Sequence, residues 1–325
     1  MDHGGARADE LDLIDFSYSA NPYVPPFLKE AVASSKLDRY PYCESLLEER
    51  IKTKFSIKGD VAIAAGITEQ IYIIFNIFRK WRFVIPKFTY SEYERVAKIV
   101  GAKYRSIRKR SLTIDDLKLQ RGEVLIINNP NNPTGKYYDF LSDVIEDATS
   151  KEYYVVVDEA FIDFVRQRSK DIEINDNVVL MRSFSKSYNV SGIRIGYAIA
   201  SEQTARKIRE TRMPWGIGSL GCSVIENIVS DENFLKGSLA RIFIERDRIM
   251  KITGLKTDAN FFLGRVGEAE ITKEKLKMRG ILVRDCTSFG FPDSIRFSIR
   301  KKKDNDILLE SLEGIDISLP EGIWF

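Results

Sequence analysis

Apolar positions along this chain switch repeatedly between helical and strand-like spacing, and that switching predicts the architecture. Residues 44–54 (Glu-Ser-Leu-Leu-Glu-Glu-Arg-Ile-Lys-Thr-Lys) carry apolar side chains at helical intervals and predict an amphipathic helix. Val61 to Ala65 is a short apolar run that reads as a strand. Gly66-Ile67-Thr68 follows it and opens an apolar helix through Arg79. Arg82 to Ile85 predicts a strand and Tyr90 to Val100 a helix. Glu123–Asn128, Tyr153–Asp158, Val178–Arg182 and Arg194–Ala200 complete the predicted strands. Strands that alternate with helices predict a mostly parallel, helix-covered sheet. From about Ser230 the pattern changes to a long charged helix and then short strands. The expected division is a large domain over 38–225 and a smaller one built from 1–37 and 226–325.

In such sheets, ligands gather at the carboxyl ends of the strands. Thr68, Asn128 to Asn132, Asp158 and Ser183 to Lys186 each fall just after a predicted strand. They can therefore converge from positions more than a hundred residues apart.

Composition narrows the chemistry. With 50 basic and 47 acidic side chains in 325 residues, net charge is only +3, which leaves no footprint for nucleic acid. The basic runs Lys103–Arg110 and Arg300–Lys303 read as solvated faces. No apolar run approaches the roughly 18 residues of a membrane helix. The N-terminal stretch lacks the apolar region of a secretory signal. Three widely spaced cysteines (Cys43, Cys222, Cys286) without a CxxC pair argue for a reducing compartment, so a cytoplasmic setting is expected, and against a zinc site. His3 is the single histidine, which excludes multi-histidine metal sites and leaves little room for a histidine-based nucleophile system. Acid–base work must come from lysine, tyrosine, carboxylates or a cofactor.

The run Ser183-Phe-Ser-Lys-Ser-Tyr-Asn-Val-Ser-Gly-Ile-Arg194 sets Lys186 among hydroxyls, eight residues before an arginine. An amine there can form an imine with an aldehyde while hydroxyls and a guanidinium hold a phosphate; the alternative is a solvated loop. Asp158 ends a β-branched strand as in a Walker-type ATPase, but the required GxxxxGK[ST] loop is missing around Gly135-Lys136. It suits better an anion beneath a pyridinium nitrogen, or else a helix cap. Gly216-Ile-Gly218-Ser-Leu-Gly221 spells GxGxxG but follows no strand, which argues against a nicotinamide site. Ile67 and Thr68, at a helix start after a strand, form an anion site that is also a plain cap. Asn132 sits between prolines where it can donate to a phenolate oxygen. Phe88, past another strand end, can stack on a planar ring or serve as core.

Taken together, Asn132-Pro-Thr-Gly135, Asp158-Glu-Ala160 and Ser185-Lys186 with Arg194 resemble the fold-type I pyridoxal-phosphate enzymes, the aminotransferase superfamily, over nearly the whole chain. The resemblance implies the α/β fold of that type: a mostly parallel seven-stranded sheet with helices on both faces, plus a smaller α+β domain. It implies pyridoxal 5'-phosphate as cofactor, with Lys186 bonded to its aldehyde and Asp158 beneath its ring nitrogen. Asn132 would meet the ring hydroxyl and Phe88 would stack on the ring. Phosphate would be held by Ile67, Thr68, Ser183, Ser185 and Arg194, and by Tyr40 from the second subunit of a homodimer. Arg296 would grip the substrate carboxylate, and His3 and Asn21 would lie on the substrate side. Within the family the chain resembles the branch of histidinol-phosphate aminotransferase and threonine-phosphate decarboxylase, the latter an enzyme of cobalamin side-chain synthesis. His3-Gly-Gly5, Asp15-Phe-Ser17, Phe161 in place of a tyrosine, Met213-Pro-Trp215 and Ile281-Leu-Val-Arg-Asp-Cys286 favour the decarboxylase. Aminotransfer to 2-oxoglutarate, of the histidinol-phosphate or the aspartate type, is the alternative. A non-catalytic protein that keeps the fold is the remote one.

Overall fold

A computed structural model describes residues 4–167 and 172–324. Seven strands form one sheet in the spatial order Asp60–Ala64, Gly196–Ala200, Val178–Ser183, Tyr154–Asp158, Glu123–Asn128, Arg82–Pro86, Tyr104–Ile107. All pairings are parallel except the two made by Gly196–Ala200. Successive side chains on a strand point to opposite faces, so a sheet covered on both sides needs apolar residues at every position. The inner strands meet that demand along most of their length. Val155 and Val157 enter one buried cluster with Ile63, Leu125 and Leu180. Val156 enters the other with Ala62, Ile126 and Met181. Helices Glu44–Lys54, Leu141–Ala148 and Ser219–Ser230 cover the first face through Ile51, Val144 and Ile225. Gly66–Ile77, Glu92–Ile99 and Glu202–Thr211 cover the second through Ile74, Val96 and Ile208.

The remainder builds a second core. Phe261–Arg265, Ser294–Ser298 and Arg284–Asp285 form an antiparallel sheet, and Ile14–Asp15 pairs parallel with Ile281–Leu282. Helices Phe234–Thr253, Ala269–Met278 and Lys302–Ser311 pack on it through Ile249, Leu276 and Leu308. This grouping moves the expected boundaries at 37/38 and 225/226. Phe16 joins the smaller core, but Phe27, Leu28 and Ala31 pack with the large one, as does Ile228. The helix Leu28–Ala33 lies against Ser219–Ser230, and that apolar contact outweighs its place near the N-terminus.

Two expectations drawn from polar residues fail. The run Lys103–Arg110 contains the edge strand Tyr104–Ile107, and Arg105 bonds bidentately to buried Glu123 at 2.9 Å. Cys43 and Cys222 are joined in a disulfide, and only Cys286 is free. The argument for a reducing compartment therefore loses its basis. Separation along the chain says nothing about distance across a fold: Cys43 immediately precedes the helix Glu44–Lys54, which packs on Ser219–Ser230, the helix of Cys222. No helix among the described residues is long and apolar enough to cross a membrane, and no group of residues among them could hold a metal ion.

Candidate active site

The strand Val178–Ser183 runs into a single helical turn, Phe184–Ser187, capped by the Ser183 hydroxyl, which accepts from the Ser185 amide at 3.1 Å. The chain then doubles back through Arg194, in the left-handed region at φ 58°, and returns as the antiparallel strand Gly196–Ala200. This hairpin-like return brings Ser183, Ser185, Lys186 and Arg194 to the end of the sheet where the strand Val178–Ser183 finishes. The helix Gly66–Ile77 starts beside them. Gly66 has φ +76°, and a Cβ there would lie 2.9 Å from the Arg194 guanidinium. The glycine thus lets the arginine close over a helix N-terminus, where free amides and the dipole favour an anion. Arg194 Nη2 donates to Thr68 Oγ1 at 3.4 Å.

Lys186 opens onto a cavity of about 200 Å³ that Asn132, Asp158, Arg194 and Arg296 also line. Its ammonium stands 4.5 Å over the ring of Tyr18. Enclosure by protein, then the charges of Arg296 and Arg194, bring its pKa down to about 7. Near neutral pH a large share of the amine is therefore free to attack a carbonyl.

Asp158 ends its strand on the cavity floor and is buried. Burial raises its pKa to about 6, opposed by donation from Tyr93 Oη at 2.6 Å and the Ala160 amide at 3.0 Å. The next residue, Glu159, turns away to Arg182 at 2.6 Å. Asn132 is fixed by its own amide bond to Asn128 Oδ1 at 2.9 Å, and its side-chain oxygen accepts from Arg296 Nη1. That leaves its amide nitrogen as the group able to donate. Arg296 also donates to the Ser17 carbonyl at 2.8 Å and lies over Phe261. Burial, foremost, lowers its pKa to about 10.

Ile67, Thr68, Asn132, Asp158, Ser183, Ser185, Lys186, Arg194 and Arg296 therefore line one cavity, as their spacing suggested. Three expected residues do not. Phe88 leans on Phe291, with ring centroids 5.4 Å apart, because a separate apolar cluster with Phe289 and Ile323 recruits it. Tyr90, two residues on, lines the cavity instead. Asn21 spends its side chain on Ser187 O, Ser238 Oγ and the Tyr23 amide, tying the N-terminal segment to the turn after Lys186. Tyr40 is exposed and stacks on Trp215 at 4.6 Å, outside its own chain's cavity. His3 lies outside the described residues.

The sequence reading missed Tyr18, Tyr90, Tyr93 and Arg284. The helical spacing from Tyr93 to Val96 and Ala97 marked Tyr93 as inward-facing, but nothing local marked its bond to Asp158. Arg284 is opposite Arg296 on the neighbouring strand, so both reach the same cavity.

The family description "Aminotransferase class I and II" matches residues 12–312. The chain belongs to that family, whose members depend on pyridoxal phosphate. A relative in Caldanaerobacter subterraneus subsp. tengcongensis, named "Putative threonine-phosphate decarboxylase", is 27% identical, covering 97% of this chain and 94% of the relative. Histidinol-phosphate aminotransferase 1 of Archaeoglobus fulgidus is 30% identical, covering 93% and 99%. The crystal structure of histidinol-phosphate aminotransferase from Clostridium acetobutylicum superposes with a TM-score of 0.82 at 26% identity, covering 92% and 98%.

The cavity suits the cofactor. The hydroxyl of Ser19 and Nε of Arg296 are buried without a partner among the described residues, and both residues line the cavity. Unmet polar groups beside a near-neutral lysine and a single carboxylate match a ligand that carries an aldehyde, a basic ring nitrogen and anionic groups.

Proposed function

We propose that this enzyme decarboxylates L-threonine O-3-phosphate, or a closely similar phosphorylated amino acid. One observation carries the substrate class: Arg284 and Arg296 are both buried, occupy opposing register positions and face the cavity of Lys186. Two guanidinium groups that line one cavity repel each other, and an anionic ligand eases that repulsion. A substrate with a carboxylate and a phosphate supplies both anions, and planar forked donors suit both groups.

The residues divide the work. The cofactor, when bound, supplies an aldehyde for the substrate amine and a ring that takes up electrons from Cα. Lys186 offers the amine that holds the cofactor and later carries a proton at Cα. Asp158 keeps the ring nitrogen protonated, and Asn132 donates to the ring hydroxyl. Thr68, Ser183, Ser185 and Arg194, with the amides at Ile67 and Thr68, hold the cofactor phosphate. Arg296 binds the substrate carboxylate and Arg284 its phosphate. Phe161, buried at the cavity wall, offers no hydroxyl there, which favours loss of carbon dioxide over proton transfer to the cofactor. Tyr40, exposed beside Trp215, reaches the phosphate of a second subunit in a homodimer.

Similarity to the Archaeoglobus fulgidus aminotransferase favours a second reading, aminotransfer from histidinol phosphate to 2-oxoglutarate. Offering threonine phosphate and histidinol phosphate with 2-oxoglutarate separates the two. The expected product is carbon dioxide from threonine phosphate; glutamate without carbon dioxide would overturn the proposal. Light scattering on the eluted protein tests the dimer, and a monomer that keeps full cofactor affinity after Tyr40→Phe contradicts the role of Tyr40.

A further inference from the structure

Asp158 is backed by a second residue, Tyr93, that does not itself line the cavity. Tyr93 lies in the helix Glu92–Ile99 with no exposed surface, inside the core on one face of the large sheet. Its hydroxyl donates to Asp158 Oδ2 at 2.6 Å. The Ala160 amide takes Oδ1, and Asn128 Nδ2 holds the Asp158 carbonyl at 2.8 Å. One donor thus fixes each carboxylate oxygen, while Asn128 anchors the backbone that carries it. Tyr90 packs edge-on against Tyr93 at 5.7 Å and lines the cavity, so this short segment reaches both the ring site and the residue behind it.

We propose that Tyr93 is a positioning residue that holds Asp158 ionised and aimed at the cofactor ring nitrogen; this rests on the reading of Asp158 given above. A buried carboxylate loses its hydration, and a phenol at this distance restores part of it as a charge-assisted bond. The bond favours the charged form, which is the form a protonated ring nitrogen requires. Other titratable groups that face Asp158 are Tyr90, from the segment before the helix, and Glu159, from its own turn. Glu159 is already engaged by Arg182, which leaves Tyr93 as the neighbour that controls this charge.

Protein stripped of cofactor leaves Asp158 without a cationic partner on the cavity side. Burial raises the pKa of Asp158 from 3.8 to about 6. The folded state therefore loses stability as pH rises from about 4 through 6, and the full loss persists above. Removing the Tyr93 hydroxyl pushes that pKa higher and enlarges the loss. A purely structural role would lower stability equally at every pH.

The test compares wild type, Tyr93→Phe, Asp158→Asn and the double variant, all freed of cofactor. Melting temperatures are read at pH 5 and pH 8, and binding of pyridoxal phosphate at pH 8. Tyr93→Phe is expected to widen its melting deficit by several degrees from pH 5 to pH 8. It should weaken binding about tenfold or more, with little further effect in the Asp158→Asn background. Equal deficits at the two pH values with binding within about twofold of wild type would overturn the role of Tyr93. Asp158→Asn that binds as wild type would instead remove the ring-nitrogen reading, and this inference with it. Should Tyr93→Phe fail to fold, Asp158→Asn still decides by its pH profile: a slope from pH 5 to pH 7 like that of wild type counts against an ionising Asp158.

Discussion

Two charge clusters in this protein are built on opposite plans. Glu48, nearly buried, meets Arg209 at 2.8 Å and Arg212 at 2.6 Å, and Arg209 also meets Asp60 at 2.8 Å. Glu48 accepts from the Ile63 amide as well, so the cluster closes on itself and clamps an edge strand between two helices. In the cavity, by contrast, three cations are held by neutral groups. Lys186 faces the ring of Tyr18, Arg194 bonds to Ser191 O and Thr68 Oγ1, and Arg296 bonds to Ser17 O and Asn132 Oδ1. The carboxylate that could have paired with them, Asp158, is bonded to a tyrosine. The first cluster is complete as folded; the second leaves charge for a ligand to neutralise. Where opposite charges meet, the arrangement serves stability, and where they are kept apart it serves binding and reaction.

Substitutions can separate these plans. Lys186→Ala is expected to lower turnover by about 10³-fold or more while the melting temperature of the cofactor-free protein holds or rises, measured by product formation and calorimetry. Glu48→Ala is expected to do the reverse. It takes the carboxylate from Arg212, leaves Arg209 with Asp60 alone and should cost about 3 kcal/mol of stability, read by denaturant unfolding, with turnover per folded molecule unchanged. A Glu48 variant with normal stability but low turnover would erase the contrast. Arg284→Ala is expected to lower kcat/KM about 10- to 100-fold for phosphorylated substrates and far less for unphosphorylated analogues. Equal losses on both would place Arg284 outside the phosphate site.

The pH dependence is the mildest test. With its pKa near 7, Lys186 gains free amine as pH rises from 6 to 8, and capture of pyridoxal phosphate by the stripped enzyme should accelerate by up to about tenfold. Because that pKa lies below the ordinary 10.5, Lys186 costs the folded state stability at low pH, and the cost is relieved as pH climbs from 7 toward 10.5. Stopped-flow absorbance gives the midpoint; one near 10 would show that the cavity does not perturb this lysine.

Much of the large sheet was legible because its strands are continuous apolar runs ended by polar residues. Glu123–Asn128 was read as it stands, and Tyr153–Asp158 and Val178–Arg182 to within one residue at one end. The strand Tyr104–Ile107 was not, since an edge strand shows water a polar side and Arg105 disguises it as a basic patch. Phe88 and Tyr90 were equivalent on paper: two rings after one strand end. A remote apolar cluster around Phe291 took the first and left the second for the cavity. Asn21 looked free to bind substrate until Ser187 and Ser238, distant in sequence, claimed its amide.

The sequence by itself determined which reactive groups exist and in what order: one lysine among hydroxyls, one strand-end aspartate, an asparagine between prolines, and no histidine beyond position 3. Those follow from local pattern, because the period of apolar residues sets each strand and each strand end sets a ligand-facing position. Only the tertiary structure decided which ring, which second arginine and which protonation states complete the site. Desolvation and pairing depend on neighbours brought in from other elements. Tyr93 is 65 residues from Asp158 and Arg296 is 164 from Asn132, so no local pattern could announce either bond.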